Sequence, residues 1–453
     1  MNNNLKIYTA FYLGLLLKRK KIDPIEIFEY FLLKFKRANN IIKLSFTEVL
    51  IKEAFDEAEL SWKRQKRNER LSFFDGIPIV WKDLIDIKGY PAYAGSKFLK
   101  KHRENKVVRN AKIVDLAKKS GLISFAKTST VEFAFGGLGV NNSWKMPTNL
   151  MLKDKDYAPG GSSTGSATAV YSGLAPIAVA TDTAGSVRIP AAWHSLVGFK
   201  PSSNKISKNG VLPLSSSYDT VGTICKSVKD TKILFDILSE KKNNYQPREI
   251  KNIKLGFVTD FNFALLDNLS KNKIEQLRLI ISKLGFIIKN IQIPELQELN
   301  DLIADYGSVV NYEAWENWKD IIDKNLDFID LNIVDRFMIG KRISDKKATF
   351  LKRKKLKLKM RFLQRLGDTD FILLPTVSVK PPKLNLLKNK KKYHFYNNLV
   401  LDNTRAANIF DLCSISIPLN FYKRKWLSIS IISKKNNDEK LLAVAEKIES
   451  ILI

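Results

Sequence analysis

The chain has 453 residues, of which 45% are hydrophobic and 27% are charged. This is enough apolar material for a substantial core, and it excludes disorder on a large scale. The 76 lysines and arginines outnumber the 46 acidic residues, so the formal net charge is +30. A surface of this sign could attract nucleic acid, anionic lipid or an acidic partner. The alternative is a bias of the coding sequence, because Lys, Asn and Ile are abundant throughout and basic runs such as 352–359 and 388–392 are typical of solvated faces or loops.

The cysteines and the N-terminal segment favour a cytoplasmic protein. Cys225 and Cys413 form neither a metal-ligand spacing nor a disulfide framework, and two lone thiols fit a reducing cytosol. The apolar patch at 10–17 is preceded by no charged segment beyond Lys6 and followed by no small-residue cleavage site, which argues against a signal peptide. No apolar run approaches the length needed to span a bilayer. We therefore expect no membrane association, and the sequence predicts neither a metal nor another cofactor.

The predicted elements alternate between helices and strands, which is typical of an α/β fold. The first clear helix begins at Pro24, where Asp23 can act as the N-cap and Glu26 completes a capping box. The apolar run at 77–81 predicts a buried strand that ends in polar residues. A lysine-rich stretch at 384–393 is expected to be a mobile loop. Further helices are expected over 46–66, 110–119, 167–172 and 439–453 and through the charged segment 301–368, and further strands over 122–126, 177–180, 254–258, 286–291, 371–375 and 428–432.

One segment is unusually rich in small and hydroxyl residues. It contains APGGSSTGSATAV and, after a short apolar run, ATDTAGSVRIPAAWHSLVGFKP. It is not a phosphate-binding P-loop, because Ser166 stands where that motif needs a lysine, and it has no Gly-x-Ser-x-Gly elbow. A histidine-based triad would need His102, His194 or His394. His194 lies in an apolar stretch and is expected to be a buried structural residue, whereas the other two lie among charged residues and are expected to be exposed.

A serine nucleophile in this segment therefore needs a base other than histidine. Lysine can serve where burial lowers its pKa, because a desolvated ammonium group is disfavoured. Lys82 directly follows the apolar run at 77–81, so a buried position is consistent with the sequence. Taken alone, however, Lys82 is better explained as an exposed lysine at the end of a strand.

The motifs taken together resemble the amidase signature family. GIPIVWKDLIDIKG resembles the strand that carries the family's lysine, AKTSTVEFAFGG resembles the block after it, and GGSSTGSA with TDTAGSVRIPAA resembles the signature itself. Ser162 and Ser186 are 186 − 162 = 24 residues apart, which matches the family's spacing. Later segments that also fit are GVLPLSSSYDTVGTICKSVKD, LLPT and DLCSISIP. The resemblance covers nearly the whole chain and is strongest over 76–230.

The resemblance implies a fold with a single α/β domain over 1–453. Its core would be a mixed β-sheet sandwiched between layers of α-helices, with the signature core at about 76–230. Residues 1–70 would form N-terminal helices packed on that core, and 301–368 a helical, charged insertion.

The resemblance also implies a catalytic triad. Ser186 would be the nucleophile, and neutral Lys82 would act as general base through Ser162. Backbone amides would stabilise the tetrahedral oxyanion, and they belong to Thr183, Ala184, Gly185 and Ser186. The peptide bond between Gly161 and Ser162 would be cis. Supporting roles would fall to Ser163, Asp182 and Arg188, and substrate-binding roles to Phe135 and Gly136, although packing or loop structure explains each of these equally well. The rest of the pocket is expected mostly from 135–144, 304–318 and the region after 375.

The sequence departs from the family's pattern in three places. Ala184 stands where the family usually has glycine, and a methyl group there could restrict the backbone or crowd the oxyanion hole. Thr164 also replaces a common glycine. Near the C-terminus, FYKRKWLSIS replaces a stretch rich in Gly, Leu and Pro that lines the substrate entrance in relatives. All three catalytic positions are retained.

Three functions remain open. The leading one is a stand-alone amidase that hydrolyses a small carboxamide to a carboxylate and ammonia through an acyl-enzyme. The second is the A subunit of a tRNA-dependent amidotransferase, which releases ammonia from glutamine and works with tRNA and a B-type subunit. The third is a catalytically weak relative that binds a ligand, for which Ala184 is the only argument. Members of the family are often homodimers, but the sequence contains no interface signature.

Overall fold

The structure is a computed structural model that describes residues 9–103, 107–152, 156–241, 252–420 and 425–452. Its strands are β1 (Phe46–Val49), β2 (Pro78–Lys82), β3 (Ile123–Thr128), β4 (Ile177–Asp182), β5 (Val197–Lys200), β6 (Thr220–Cys225), β7 (Lys254–Val258), β8 (Ile287–Ile291), β9 (Phe371–Pro375), β10 (Cys413–Pro418) and β11 (Ser428–Ser433). Its helices are α1 (Ala10–Lys18), α2 (Pro24–Arg37), α3 (Asn40–Lys43), α4 (Ile51–Arg67), α5 (Lys97–Arg103), α6 (Lys112–Lys119), α7 (Thr164–Tyr171), α8 (Arg188–Ala192), α9 (Val228–Ser239), α10 (Asn268–Lys283), α11 (Pro294–Tyr306), α12 (Val309–Ile322), α13 (Leu331–Lys341), α14 (Asp345–Leu366), α15 (Lys390–Ile409) and α16 (Asp438–Glu449).

The strands of the described residues form one mixed sheet in the order β1-β3-β2-β4-β6-β5-β10-β11-β9-β7-β8. Strand β2 runs parallel to both β3 and β4, and β7 runs parallel to both β8 and β9. The other pairs are antiparallel. Helices pack against this sheet along most of its width. The predicted α/β class and the mixed central sheet are thus confirmed.

Local sequence explains why the central strands and the first long helix form where they do. All five residues of β2 are buried, which suits a continuous apolar run with parallel neighbours on both sides. At the start of α2 the amide of Glu26 donates to Asp23 Oδ1 at 2.8 Å, and the amide of Asp23 donates to Glu26 Oε2 at 2.9 Å. The capping box predicted there is therefore complete.

Two predicted elements are wrong. The helix expected over 46–66 begins only at Ile51, because the four residues of β1 pair with β3 at the edge of the sheet. The loop expected over 384–393 is helical instead. Leu384–Lys388 forms a 3-10 helix, and the side chain of Asn389 then accepts a hydrogen bond from the Lys392 amide and caps α15.

The N-terminal apolar patch forms α1, whose buried residues include Leu13 and Leu17. Among the helices of the described ranges, none combines the length and the apolar character that crossing a membrane requires.

The sheet topology brings two chain segments to one edge. Because β2 and β4 are parallel neighbours, their carboxyl ends lie together, and these ends carry Lys82 and Asp182. Ser162 and Ser163 directly precede α7, which packs on β2, β3, β4 and β6. Ser186 lies between β4 and α8. The predicted catalytic residues therefore all come from strand ends or helix starts at this place.

Candidate active site

Lys82 is buried at the end of β2 and contacts a serine. Its Nζ donates to Ser162 Oγ at 2.7 Å and to Thr181 Oγ1 at 2.9 Å. The side chain is fully buried, and this desolvation lowers the pKa of Lys82 to about 7, although the carboxylates of Asp182 and Asp219 partly oppose it. Lys82 is thus the buried lysine that the motifs implied, and a large share of it is neutral at pH 7.

Ser162 is held by its own main chain. The peptide bond between Gly161 and Ser162 is cis, as the resemblance implied. The carbonyl of Ser162 accepts hydrogen bonds from the Val131 amide at 3.1 Å and from Thr130 Oγ1 at 3.0 Å. Since these contacts fix the backbone, the buried hydroxyl of Ser162 keeps its direction toward Lys82.

Ser186 is almost buried, with 5% of its surface exposed. Its carbonyl accepts a hydrogen bond from the Ser163 amide at 3.2 Å, and Ser163 Oγ donates to the carbonyl of Thr181 at 3.3 Å. Ser163 thus links the two serine segments, which is a bracing role. Within the described part of the chain, the hydroxyl of Ser186 has no hydrogen-bond partner. The main chain of Ser163 therefore links the Ser186 loop to the segment of Ser162. The hydroxyl of Ser186 is free of contacts with the described residues.

The loop before Ser186 wraps around the carboxylate of Asp182. The Gly185 amide donates to Asp182 Oδ1 at 2.8 Å, so this amide points to the carboxylate and not to open space. The amides of Thr183, Ala184 and Ser186 find no acceptor among the described residues. Three of the four amides implied for the oxyanion hole are thus free in this structure.

The departure at position 184 causes no backbone strain. Gly185 has φ = 131°, and a Cβ there would overlap the side chain of Thr404. Ala184 does not have a positive φ, and its carbonyl accepts a hydrogen bond from Thr404 Oγ1 at 2.6 Å. The position that requires glycine is therefore 185. Thr164 also fits, because its Oγ1 donates to the carbonyl of Gly160 at 2.8 Å.

Asp182 is held by a buried ion pair. Arg188 donates from Nε to Asp182 Oδ2 at 3.0 Å and from Nη2 to Oδ1 at 2.9 Å, and both residues are fully buried. Burial alone would raise the pKa of Asp182, but the Arg188 guanidinium holds it well below its usual range. Asn408 completes the group, because its Nδ2 donates to Asp182 Oδ1 at 2.9 Å and its Oδ1 accepts from Arg188 Nη2 at 2.7 Å.

Sequence reasoning missed three polar contacts of the site. Asn408 lies just before the DLCSISIP motif, and its nearness to this motif is the only feature of the sequence that could have indicated it. Thr181 Oγ1 accepts a hydrogen bond from Lys82 Nζ at 2.9 Å, and Asp219 Oδ1 accepts one from Thr183 Oγ1 at 2.5 Å. Both lie inside quoted motifs, but nothing in their spacing distinguished them from neighbouring polar residues.

The histidines take no part in this group. His194 is fully buried, its Nδ1 contacts the Pro190 carbonyl at 3.0 Å, and burial lowers its pKa to about 4. The prediction that His194 is a buried structural residue is thus confirmed. His102 is exposed as expected, but His394 is half-buried and pairs with Asp335 at 3.0 Å, so the prediction that it is exposed is wrong.

A cavity of about 600 Å³ opens beside the loop before Ser186. Ala184 lines it, together with residues of 297–311, 336–347 and 394–409. Residues from two of the three segments expected to supply the pocket thus line this cavity, whereas Lys82, Ser162 and Ser186 do not. Phe135 and Gly136 do not line the cavity; Phe135 is buried behind it with the Arg336 guanidinium 4.4 Å from its ring. The FYKRKWLSIS stretch begins at residue 421, and its first four residues lie outside the described ranges.

Comparisons with known proteins find similarity along most of the chain. Residues 26–442 match the family described as Amidase. The chain is 28% identical over 389 residues to a 2-amino-5-chloromuconic acid deaminase of Comamonas testosteroni, covering 83% of this chain and 82% of that one. It is 27% identical over 469 residues to the A subunit of a glutamyl-tRNA(Gln) amidotransferase of Persephonella marina, covering 95% and 94% of the two chains. A crystal structure of an amidase superposes with a TM-score of 0.87 at 24% identity, covering 98% of this chain and 100% of the other.

The family match defines the class of protein, a hydrolase that acts on carbon–nitrogen bonds. The chain belongs to the amidase family, the family that carries the amidase signature.

Proposed function

We propose that the protein is a stand-alone amidase that hydrolyses a carboxamide to a carboxylate and ammonia. The observation that carries this proposal is the 2.7 Å contact between Lys82 Nζ and Ser162 Oγ in a fully buried setting. With a pKa of about 7, the Lys82 amine is neutral often enough to accept a proton at physiological pH. A buried base next to one serine and a free second serine is the arrangement that serine amide hydrolysis needs.

In the acylation step Ser186 Oγ attacks the carbonyl carbon of the amide. Its proton passes to Ser162, whose own proton passes to the neutral amine of Lys82. The carbonyl oxygen becomes an oxyanion, and the free amides of Thr183, Ala184 and Ser186 are the donors for it. Each preorganised donor of this kind contributes roughly 3 kcal/mol in the transition state.

The intermediate then collapses and the carbon–nitrogen bond breaks. Ser162 gives a proton to the leaving nitrogen and is reprotonated by Lys82, so ammonia departs and the acyl group stays on Ser186. Water attacks the acyl-enzyme by the reverse proton path, which releases the carboxylate and restores the hydroxyl of Ser186. Protons and bonds balance without a cofactor.

The test is ammonia release by the purified chain from a panel of amides that includes glutamine and asparagine. We expect turnover of at least one simple amide, with loss of activity in Ser186→Ala and in Lys82→Ala. A fluorophosphonate probe should label Ser186 in the wild type and nothing in Ser186→Ala. A folded protein that releases no ammonia and is not labelled by the probe would be interpreted as a ligand-binding relative. This outcome would contradict the proposal.

The second candidate is the A subunit of an amidotransferase. It is favoured by the similarity to the Persephonella protein over 95% of this chain and by the net charge of +30. The experiment that separates the two candidates is purification of the chain from its own cells. Co-purification with tRNA and a B-type subunit, combined with glutamine as the only amide hydrolysed, would replace the stand-alone amidase by this second function.

A further inference from the structure

Asp219 connects the loop before Ser186 to another part of the chain. Its Oδ1 accepts a hydrogen bond from Thr183 Oγ1 at 2.5 Å, and its Oδ2 accepts from the amides of Leu214 at 2.8 Å and Ser215 at 3.0 Å. The amide of the same Thr183 is one of the three that find no acceptor among the described residues. The Asp219 carboxylate therefore fixes a residue whose main chain is a candidate donor to the oxyanion.

The loop 213–219, which carries Asp219, is anchored to α12. Glu313 of that helix is almost buried, and it accepts hydrogen bonds from Ser215 Oγ at 2.5 Å and from Ser217 Oγ at 2.6 Å. Hydrogen bonds to a carboxylate are stronger than those between neutral groups. Because the loop is held at this end by Glu313, Asp219 keeps a defined position at the other end.

Asp219 also lies close to a hydrogen-bond partner of Lys82. A cavity of about 200 Å³, separate from the one that Ala184 lines, has Asp219, Thr181 and Lys208 in its wall. Thr181 Oγ1 accepts the hydrogen bond from Lys82 Nζ at 2.9 Å. The Asp219 carboxylate therefore shares a cavity with the hydroxyl that the candidate base contacts.

The charges around Lys82 distinguish Asp219 from the other nearby carboxylate. Burial lowers the pKa of Lys82, and the carboxylates of Asp182 and Asp219 both oppose this effect. Asp182 already forms a buried ion pair with Arg188, whereas the charged group that acts on Asp219 is Lys208 on the same side of the cavity wall. Burial raises the pKa of Asp219, but the three hydrogen bonds to its oxygens favour the ionised form.

We propose that Asp219 is a positioning residue of the reaction, which holds the loop 183–186 through Thr183 and stabilises the protonated Lys82 by its charge. Its role in turnover rests on the proposed amidase function, whereas its effect on Lys82 does not. Lys82 takes up a proton as the oxyanion forms, so a fixed carboxylate nearby favours the charged intermediate over the neutral ground state. Asp219 acts through these two groups and transfers no proton itself.

Asp219→Asn tests the charge while the contacts are kept, because the amide oxygen accepts from the loop amides and Nδ2 donates to Thr183 Oγ1. We expect kcat to fall about tenfold or more with KM little changed, since both effects act in the transition state. The midpoint of the rise of kcat/KM with pH should move to lower pH by about half a unit or more, because the protonated amine loses a favourable neighbour. Asp368→Asn removes the same charge from an exposed surface pair and should change neither quantity.

Thr183→Val separates the two effects. It removes the hydroxyl contact but leaves the charge of Asp219, so it should lower kcat and leave the pH midpoint at its wild-type value. Wild-type kcat in either variant overturns the proposal. A lower kcat in Asp219→Asn with an unchanged midpoint overturns it too, because a purely structural role gives that result.

An NMR titration measures the amine without turnover. The lysines are labelled with ¹³C at Cε, and the signal of Lys82 is assigned by its absence in Lys82→Met. Its midpoint should be lower in Asp219→Asn than in the wild type and unchanged in Asp368→Asn. This result supports the effect of Asp219 on Lys82 even if no amide is hydrolysed, in which case only the amidase function is contradicted. Equal midpoints in Asp219→Asn and the wild type overturn the proposal, and ammonia release then leaves the amidase function in place.

Discussion

The amine of Lys82 and the hydroxyl of Ser162 lie 2.7 Å apart, although 80 residues separate them in the chain. The contact joins the end of a central parallel strand to the segment that starts α7. Because the amine is fully buried, desolvation lowers its pKa to about 7, and its proton affinity suits exchange with a serine. Substitutions of this pair and of the groups around it should therefore have distinct effects on activity and stability.

Replacement of the buried amine should abolish catalysis without unfolding the protein. Lys82→Met removes the base, and we expect kcat to fall by about 10²–10⁴-fold, the usual contribution of a positioned base. Stability should not fall, because burial of the amine opposes folding at neutral pH. Lys200→Met is the matched control: Lys200 is also buried, and its Nζ donates to the Pro201 carbonyl at 2.7 Å. This variant should keep most of the activity, and equal losses in both variants would contradict a specific role for Lys82.

The pH dependence of activity should report the same amine. The base must be neutral, so kcat/KM should rise with pH, reach half of its maximum near the Lys82 pKa of about 7 and level off above pH 8. Below pH 6 it should fall about tenfold for each pH unit. Initial rates in one mixed buffer measure this, with circular dichroism to show that the fold persists. A rate constant that stays flat from pH 5 to pH 9 would falsify the role of Lys82 as base.

The two small residues before Ser186 should respond differently to substitution. Gly185→Ala adds a Cβ that overlaps Thr404 at a φ of 131°, so the loop must shift. We expect a loss of about 10²-fold in kcat, comparable to the removal of one oxyanion donor. Ala184→Gly is the control, because this position has no positive φ, and it should change kcat much less. If Ala184→Gly instead raises kcat strongly, the methyl group does crowd the oxyanion hole.

The ion pair of Asp182 should be essential to stability. Arg188→Met leaves a fully buried carboxylate without its cation, which typically costs about 3–5 kcal/mol of unfolding free energy. Denaturant unfolding measures this, and adding Asp182→Asn to Arg188→Met should recover part of the loss. Lys254→Met breaks a surface ion pair with Asp368 and should leave the denaturant concentration at the midpoint of unfolding unchanged. Similar midpoints for Arg188→Met and Lys254→Met would show that the buried pair is dispensable.

A buried carboxyl far from the site should make the protein more stable in mild acid. Asp230 accepts a hydrogen bond from the Phe11 amide at 2.7 Å, and burial raises the pKa of Asp230 to about 6. Between pH 4 and pH 6 the folded state keeps a proton that the unfolded chain has lost, so stability falls as pH rises through this window. The difference between about 6 and the ordinary 3.8 corresponds to about 3 kcal/mol. Thermal or urea unfolding of wild type and Asp230→Asn at pH 4, 6 and 8 measures this dependence of stability on pH. The same dependence in both proteins would contradict the role of Asp230.

The family resemblance of the motifs indicated the candidate site, and local sequence patterns predicted most of the secondary structure. Strands β7 and β9 have the predicted bounds, and the apolar run before Lys82 is a fully buried strand. Such features are set by neighbouring residues, because side-chain periodicity and caps act over a few positions. The segment rich in small and hydroxyl residues also contains Ser162 and Ser186. The sequence therefore determined which residues could form the site.

Only the tertiary structure decided how those residues are held and what lies beside them. Residues 46–49 form a strand because an edge of the sheet accepts them, although their pattern continues that of α4. Asn408 and Thr404 reach the Asp182 loop from 226 and 220 residues away, and no local pattern marks them. Arg336 looks like any other surface arginine in the sequence, and the packing of α13 on Phe135 places it at a cavity where none of the described residues forms an ion pair with it. Such contacts depend on how distant segments fill space together, which a local pattern does not encode.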